Sequence, residues 1–223
     1  PDLLRLVYFP VRARLEATRM ALHYGGIAYE DVAPANYFGV GWRDGAKAGA
    51  PFGQLPLLIV DDTPPLAQSG AILRYVCSAL VPSLKPVDPL LAARCDALFE
   101  ASQELVAAPT NVNPIVNVFH GDEFEAKKAD FFKLAPPKVA NLAKSLESSG
   151  GPFFLGDTMY FCDLGIYHVL DNINTLNPNF LDEYPSLRPF MAAVAMKPGI
   201  AEYLANRPDA IDVGTTPKLK PKA

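Results

Sequence analysis

The sequence predicts a small α/β domain followed by an all-helical one. Three observations carry that prediction. The chain opens with a strand, a helix and a second strand. A proline-rich stretch sits near residue 85. Everything beyond it has helical rather than alternating periodicity.

Residues 3–8, LLRLVY, read as a short strand. The segment after Pro10 reads as a helix, because Leu15, Met20, Ala21 and Tyr24 fall near one face. Gly25-Gly26 supplies its C-terminal stop. Residues 27–32, IAYEDV, form a second strand. Strand, helix, strand favours a parallel pair with a right-handed crossover. Residues 36–53 are glycine-rich and read as loop with a short helix. Residues 55–62, LPLLIVDD, are strand-like, Asp61 to Pro64 signals a turn, and residues 65–68 return as a fourth strand. Ser69 opens a helix and can cap it. The order βαβ-α-ββα is that of a thioredoxin-like domain, complete by residue 80.

Residues 81–89 hold three prolines and read as a linker. The domain division is therefore 1–80, linker 81–89, and helical 90–223. Leu91, Cys95, Leu98, Ser102 and Leu105 trace one helical face at steps of four and three. A long helix over 123–148 should be kinked or interrupted at Pro136-Pro137. A buried helix over 161–174 and shorter ones over 185–196 and 199–206 complete the domain.

Bulk properties remove several function classes. Half of the 223 residues are hydrophobic and the formal net charge is -4. That mild acidity gives no electrostatic argument for nucleic acid or an anionic membrane. No apolar stretch approaches the ~20 residues that span a bilayer. Cys77, Cys95 and Cys162 are odd in number and widely spaced, which argues against a disulfide framework or a zinc site. Reduced cytoplasm is the matching compartment. His23, His120 and His168 match no metal spacing.

Two junctions carry chemistry. Pro56 follows Gln54-Leu55 at the start of the third strand, where a missing N–H is tolerated. Gln68-Ser69 stands where the fourth strand meets a helix, and a helix N-terminus suits a carboxylate. Each has a bland alternative, a strand-starting proline and a simple N-cap.

Together these stretches resemble the cytosolic glutathione transferases that use tyrosine. The resemblance runs through LVYFPVRAR, GWRDGAKAGAPFGQLPLLIVDD, LAQSGAILRYV and FFLGDTMYFCDLGIY, and covers nearly the whole chain. It implies the glutathione transferase fold, with Pro56 in the cis form. It also implies that Tyr8 donates its hydroxyl to the glutathione sulfur. A free thiol ionises near 8.5, and a positioned donor favours the thiolate, which then attacks an electrophilic carbon. Arg14 would add positive charge near the thiolate or the γ-glutamyl end. Phe9, Trp42, Lys47, Gln54, Leu55, Pro56, Gln68, Ser69 and Glu104 would form the glutathione site. Trp42 and Lys47 would take the glycine carboxylate, Gln54 and Leu55 the cysteinyl part, Gln68 and Ser69 the γ-glutamyl carboxylate. Glu104 would reach across a homodimer, with Phe52 as its apolar anchor. Val11, Thr110, Pro114 and Val213 are candidates for the hydrophobic substrate site. No permanently bound cofactor is implied, and glutathione is a co-substrate.

The resemblance leaves three functions open. One is conjugation of small hydrophobic electrophiles, a detoxification activity. Another is a glutathione-dependent isomerase of the prostaglandin type, since PFGQLP is sigma-like. The third is a non-catalytic ligand-binding or structural member. The chain also departs from the family where Tyr160 replaces the usual Ser or Thr before a buried helix, although Asp163 three residues on is kept.

Overall fold

The computed structural model describes residues 1, 3–107 and 123–208. A four-stranded sheet has the order β2-β1-β3-β4. Its strands are β1 (Leu4–Val7), β2 (Glu30–Val32), β3 (Leu57–Val60) and β4 (Leu66–Ala67). β1 runs parallel to β2 with Val7 opposite Val32. It runs antiparallel to β3 with Val7 opposite Leu57. β3 and β4 close the sheet as an antiparallel pair.

The central strands are apolar because both faces are covered. Leu4, Leu6 and Leu58 join the main core beneath helices α1 (Glu16–Tyr24) and α4 (Ser69–Tyr75). Val7, Leu57 and Ile59 point the other way, as alternation requires. They pack with Ala50, Trp42, Phe38 and Leu55 of the segment between β2 and β3. That segment is not a simple loop. It holds α2 (Pro34–Phe38), a π-helical turn over Trp42–Ala46, the single turn α3 (Lys47–Gly49) and a 3-10 turn over Pro51–Gly53.

α1 begins later than its periodicity suggests. Ala13 has φ of 35°, and residues Ala13–Leu15 form a 3-10 turn before regular helix starts at Glu16. Gly26, at φ of 64°, ends it as expected. The helix is also buried almost all round: Glu16, Thr18 and Arg19 lie inside with Met20, Ala21 and Leu22.

Ser69 does not occupy the N-cap position expected of it. Gln68 is the N-cap at φ of 73°, and no side chain caps this helix. Ser69 is its first helical residue. The reason is that the chain turns sharply between β4 and α4, so the left-handed residue marks the boundary.

Among the described residues no strand follows β4. Asp88 starts α5 (Pro89–Gln103) by accepting from the Leu91 N–H at 2.7 Å. Its buried face holds Cys95, Phe99 and Ser102, so Phe99 joins the seam and Leu91 and Leu98 sit at its edges. The expected long helix is two, α6 (Phe124–Leu134) and α7 (Pro136–Glu147), with Pro136 at the first position of the second. α8 (Phe161–Leu176) is the central buried helix. A Cβ on its Gly165 would lie 2.7 Å from the Phe99 ring, so glycine permits the close approach of α5 and α8. α9 (Leu187–Ala195) and α10 (Ile200–Asn206) follow.

Tyr160 is the N-cap of α8 and its side chain makes no capping bond. Asp163 supplies the reciprocal half, accepting from the Tyr160 N–H at 2.7 Å and the Phe154 N–H at 3.0 Å. Burial pushes the Asp163 carboxyl up to about 6, against the opposing pull of those two N–H groups.

Candidate functional site

The register of β1 decides where Tyr8 stands. It is the first residue beyond the strand, and its N–H still donates to the Val32 carbonyl at 3.1 Å. Its ring is half-buried and packs against the main core. It borders a cavity of about 840 Å³ with Phe9, Val11, Arg12 and Tyr203. Phe9 in turn meets Trp42 edge-on, with ring centroids 5.9 Å apart.

A second group of candidates lies along the sheet's β3–β4 end. The Leu55–Pro56 bond is cis, as the resemblance implied. Gln54 precedes it and Gln68 follows β4. Gln68 Nε2 donates to Gln54 Oε1 at 3.2 Å, so both exposed amides are held side by side. Ser69 is next to them, half-buried. Lys47 is exposed and runs its stem beside Gly53, whose φ of 59° leaves the backbone open there. Together these residues place amides, a hydroxyl and an ammonium along one edge of the sheet. That arrangement suits an extended, doubly carboxylated ligand.

Arg14 is not among the residues that border the cavity beside Tyr8. It is exposed, and its Nη2 donates to the Val106 carbonyl at 3.1 Å. Among described residues it borders a small cavity of about 20 Å³ together with Ser69 and Gln103. Glu104, also exposed, is ion-paired within its own chain to Lys138. Phe52 is 78% exposed at φ of 58°, an apolar ring held outward by a strained residue. Val11 is buried and lines the larger cavity. Thr110, Pro114 and Val213 lie outside the described residues.

The wall of that cavity holds an ionic network that periodicity did not disclose. Glu16 accepts from Tyr203 Oη at 2.9 Å and from Arg207 Nη1 at 2.8 Å. Arg207 also reaches Asp171 at 3.0 Å. Arg19 pairs with Asp31 at 2.9 Å and donates to the Val11 carbonyl at 3.0 Å. Burial alone would lower the Arg19 guanidinium, but Asp31 outweighs it and holds the pKa above its ordinary value. His23 stacks on Tyr203 at 4.4 Å, and burial lowers its pKa. The available signal was Glu16 and Arg19 three apart in a segment with apolar residues on every side.

Comparison with known proteins agrees with this architecture. The model of the glutathione S-transferase N-terminal domain matches residues 16–79, and that of the C-terminal domain matches 111–207. Glutathione S-transferase 1 of Ascaris suum is 31% identical over 92% of this chain and 96% of its own. Glutathione S-transferase Mu 1 of Oryctolagus cuniculus is 32% identical over 89% of each. The crystal structure of the glutathione S-transferase from Ascaris lumbricoides superposes with a TM-score of 0.79 at 30% identity. That match covers 94% of this chain and 99% of the other. Both halves match in their order, the relatives align over about nine-tenths of the chain, and the chain belongs to the glutathione S-transferase family.

Proposed function

We propose that this transferase conjugates glutathione to small hydrophobic electrophiles, with Tyr8 holding the sulfur as thiolate. The observation that carries the reading is the position of Tyr8. It follows Val7, which pairs with Leu57 next to cis-Pro56 in the strand that Gln54 precedes, and it borders a largely apolar cavity wide enough for a second substrate. Glutathione laid along the polar edge of Gln54, Gln68 and Ser69 would bring its cysteine beside cis-Pro56 and its sulfur toward the tyrosine. Trp42 and Lys47 would take the glycine carboxylate, while Arg14 and Ser69 would take the γ-glutamyl end. The reaction forms a carbon–sulfur bond as thiolate attacks the electrophilic carbon.

The reading extends to a cytoplasmic homodimer that needs no bound cofactor. Phe52 is its anchor: a ring of that size is worth about 1.5–3 kcal/mol when buried, which explains holding it outward. Glu104 would then exchange Lys138 for the neighbouring protomer's glutathione amine. Sedimentation of wild type and Phe52→Ser tests the anchor, with dissociation of the variant as the expected result.

Retention on immobilised glutathione, followed by turnover of aryl halides, enals and hydroperoxides, tests the function. The expected result is retention and conjugation of at least one class. Retention without any turnover would favour a ligand-binding member, and turnover of a prostaglandin endoperoxide alone would favour an isomerase.

A further inference from the structure

The cavity beside Tyr8 has three arginines on its wall, and they are not equivalent. Arg19 is committed to Asp31 and to the Val11 carbonyl. Arg207 is committed to Glu16 and Asp171. Arg12 has no ion pair and no hydrogen bond among the described residues, and its Nε is fully enclosed without a partner. Buried polar groups are normally satisfied, and an unsatisfied one marks either strain or a missing ligand. Arg12 is half-buried on the same wall as Tyr8 and Val11.

The carboxylates that share this wall do not serve Arg12. Glu16 is wholly buried against Tyr203 and Arg207. Asp31 accepts from Arg19 through both oxygens. Glu202 accepts from the Gly199 N–H at 2.6 Å, at the start of its own helix. The rest of the cavity wall is mostly apolar, with Phe9, Pro10, Val11, Ile27 and Pro208, and its uncharged polar groups are those of Tyr8, His23, Tyr29, Tyr203 and Asn206. A cation on a largely apolar wall, whose neighbouring carboxylates are each hydrogen-bonded elsewhere, fits an amphipathic anion. Guanidinium binds a carboxylate through two parallel N–H bonds, a geometry that an amide or ester does not reproduce.

We infer that the cavity beside Tyr8 takes apolar second substrates that carry a carboxylate, with Arg12 as the group that selects it. The inference rests on the conjugation reading for its consequence in turnover, but not for the binding itself.

Calorimetric titration of the full chain, without glutathione, separates the two. The probes are 4-butylbenzoate and 4-butylbenzamide. The benzoate is expected to bind wild type about tenfold tighter, as a charge-assisted hydrogen bond implies. Arg12→Gln should reduce that preference to about twofold or less, and Arg12→Lys should retain part of it. Equal affinity for the two probes in wild type, or a preference that survives Arg12→Gln, would overturn the inference. Thermal unfolding by circular dichroism confirms that the variants are folded. In turnover, 4-chloro-3-nitrobenzoate and its methyl ester both lose chloride as the carbon–sulfur bond forms. Arg12→Gln should lower kcat/KM about tenfold for the acid and less than about twofold for the ester. If wild type binds the benzoate selectively but converts neither halide and none of the enals or hydroperoxides, the conjugation reading fails and the anion site stands. Equal losses for acid and ester would remove Arg12 from substrate selection.

Discussion

The two sides of Tyr8 use polar residues in opposite ways. Toward the β3–β4 end, Lys47, Gln54 and Gln68 are exposed, and the two amides share a single solvent-exposed hydrogen bond of 3.2 Å. Toward α1 and α10, Glu16 and Arg19 are 0% and 7% exposed and every oxygen of Glu16 has a partner. The first region keeps its donors and acceptors available. The second uses them to fasten the chain's ends together, since Glu16 and Arg207 are 191 residues apart. Availability is what binding needs, and saturation is what stability needs. Substitutions should therefore separate cleanly into those that unfold the protein and those that weaken it toward glutathione.

The largest expected effect is on the saturated side. Glu16→Gln removes the charge between Arg207 and Arg19. The expected loss is about 3 kcal/mol, the lower end for a broken buried pair, because Asp31 and Asp171 still hold their arginines. Denaturant unfolding measures it, and affinity for glutathione should be unchanged in the folded variant. A weakened affinity with unchanged stability would erase the contrast between the two regions.

Asp163→Asn comes next. Asparagine offers one acceptor oxygen where the carboxylate uses two, leaving a buried N–H of Phe154 or Tyr160 unpaired at a cost of about 2 kcal/mol. The pH dependence has a definite sign. The native carboxyl ionises at about 6, while the unfolded one ionises near 3.9. Between those values the native state binds more protons, so this group's contribution falls as pH rises and is level above the window. The stability gap between wild type and Asp163→Asn should thus widen from pH 7 to pH 5. A gap that narrows over that range would refute the assignment.

These two carboxylates show what sequence could and could not disclose. Asp163 was legible because its partners are local: a buried apolar run and a spacing of three residues fix its role as a helix-start acceptor. β1 and β3 were legible because runs such as LRLV and LLIV have few alternatives. Glu16 was not, since Tyr203, Arg207 and Asp171 approach it only when α1, α8 and α10 have docked. Phe99 was missed in the α5 seam for a related reason, because its partners on α8, Gly165 and Phe161, meet it only once the two helices have docked. The late start of α1 depends on one left-handed residue, Ala13, in a segment whose composition reads as plain helix. Gln54 and Gln68 stood out at strand junctions and took their roles from a resemblance, and Tyr8 was named from that resemblance alone. Arg12 escaped attention because its distinction is the lack of a counterion, which only the folded wall reveals.

On the available side the effects should be smaller. Trp42→Phe keeps the edge-on packing against Phe9 but removes the indole N–H. A loss of about 1 kcal/mol in glutathione affinity is expected. It should raise KM for glutathione about fivefold with kcat unchanged, as loss of uniform binding does. A change in kcat without a change in KM would place Trp42 in the chemistry instead.

The central claim is that Tyr8 stabilises the sulfur anion. Titrating the ultraviolet absorbance of bound glutathione thiolate, in wild type and Tyr8→Phe, tests it most directly. The expected result is a bound thiol that ionises below its free value of about 8.5 in wild type and returns toward it in Tyr8→Phe, with glutathione still bound. An unchanged ionisation in Tyr8→Phe would contradict the account and move the sulfur to another donor.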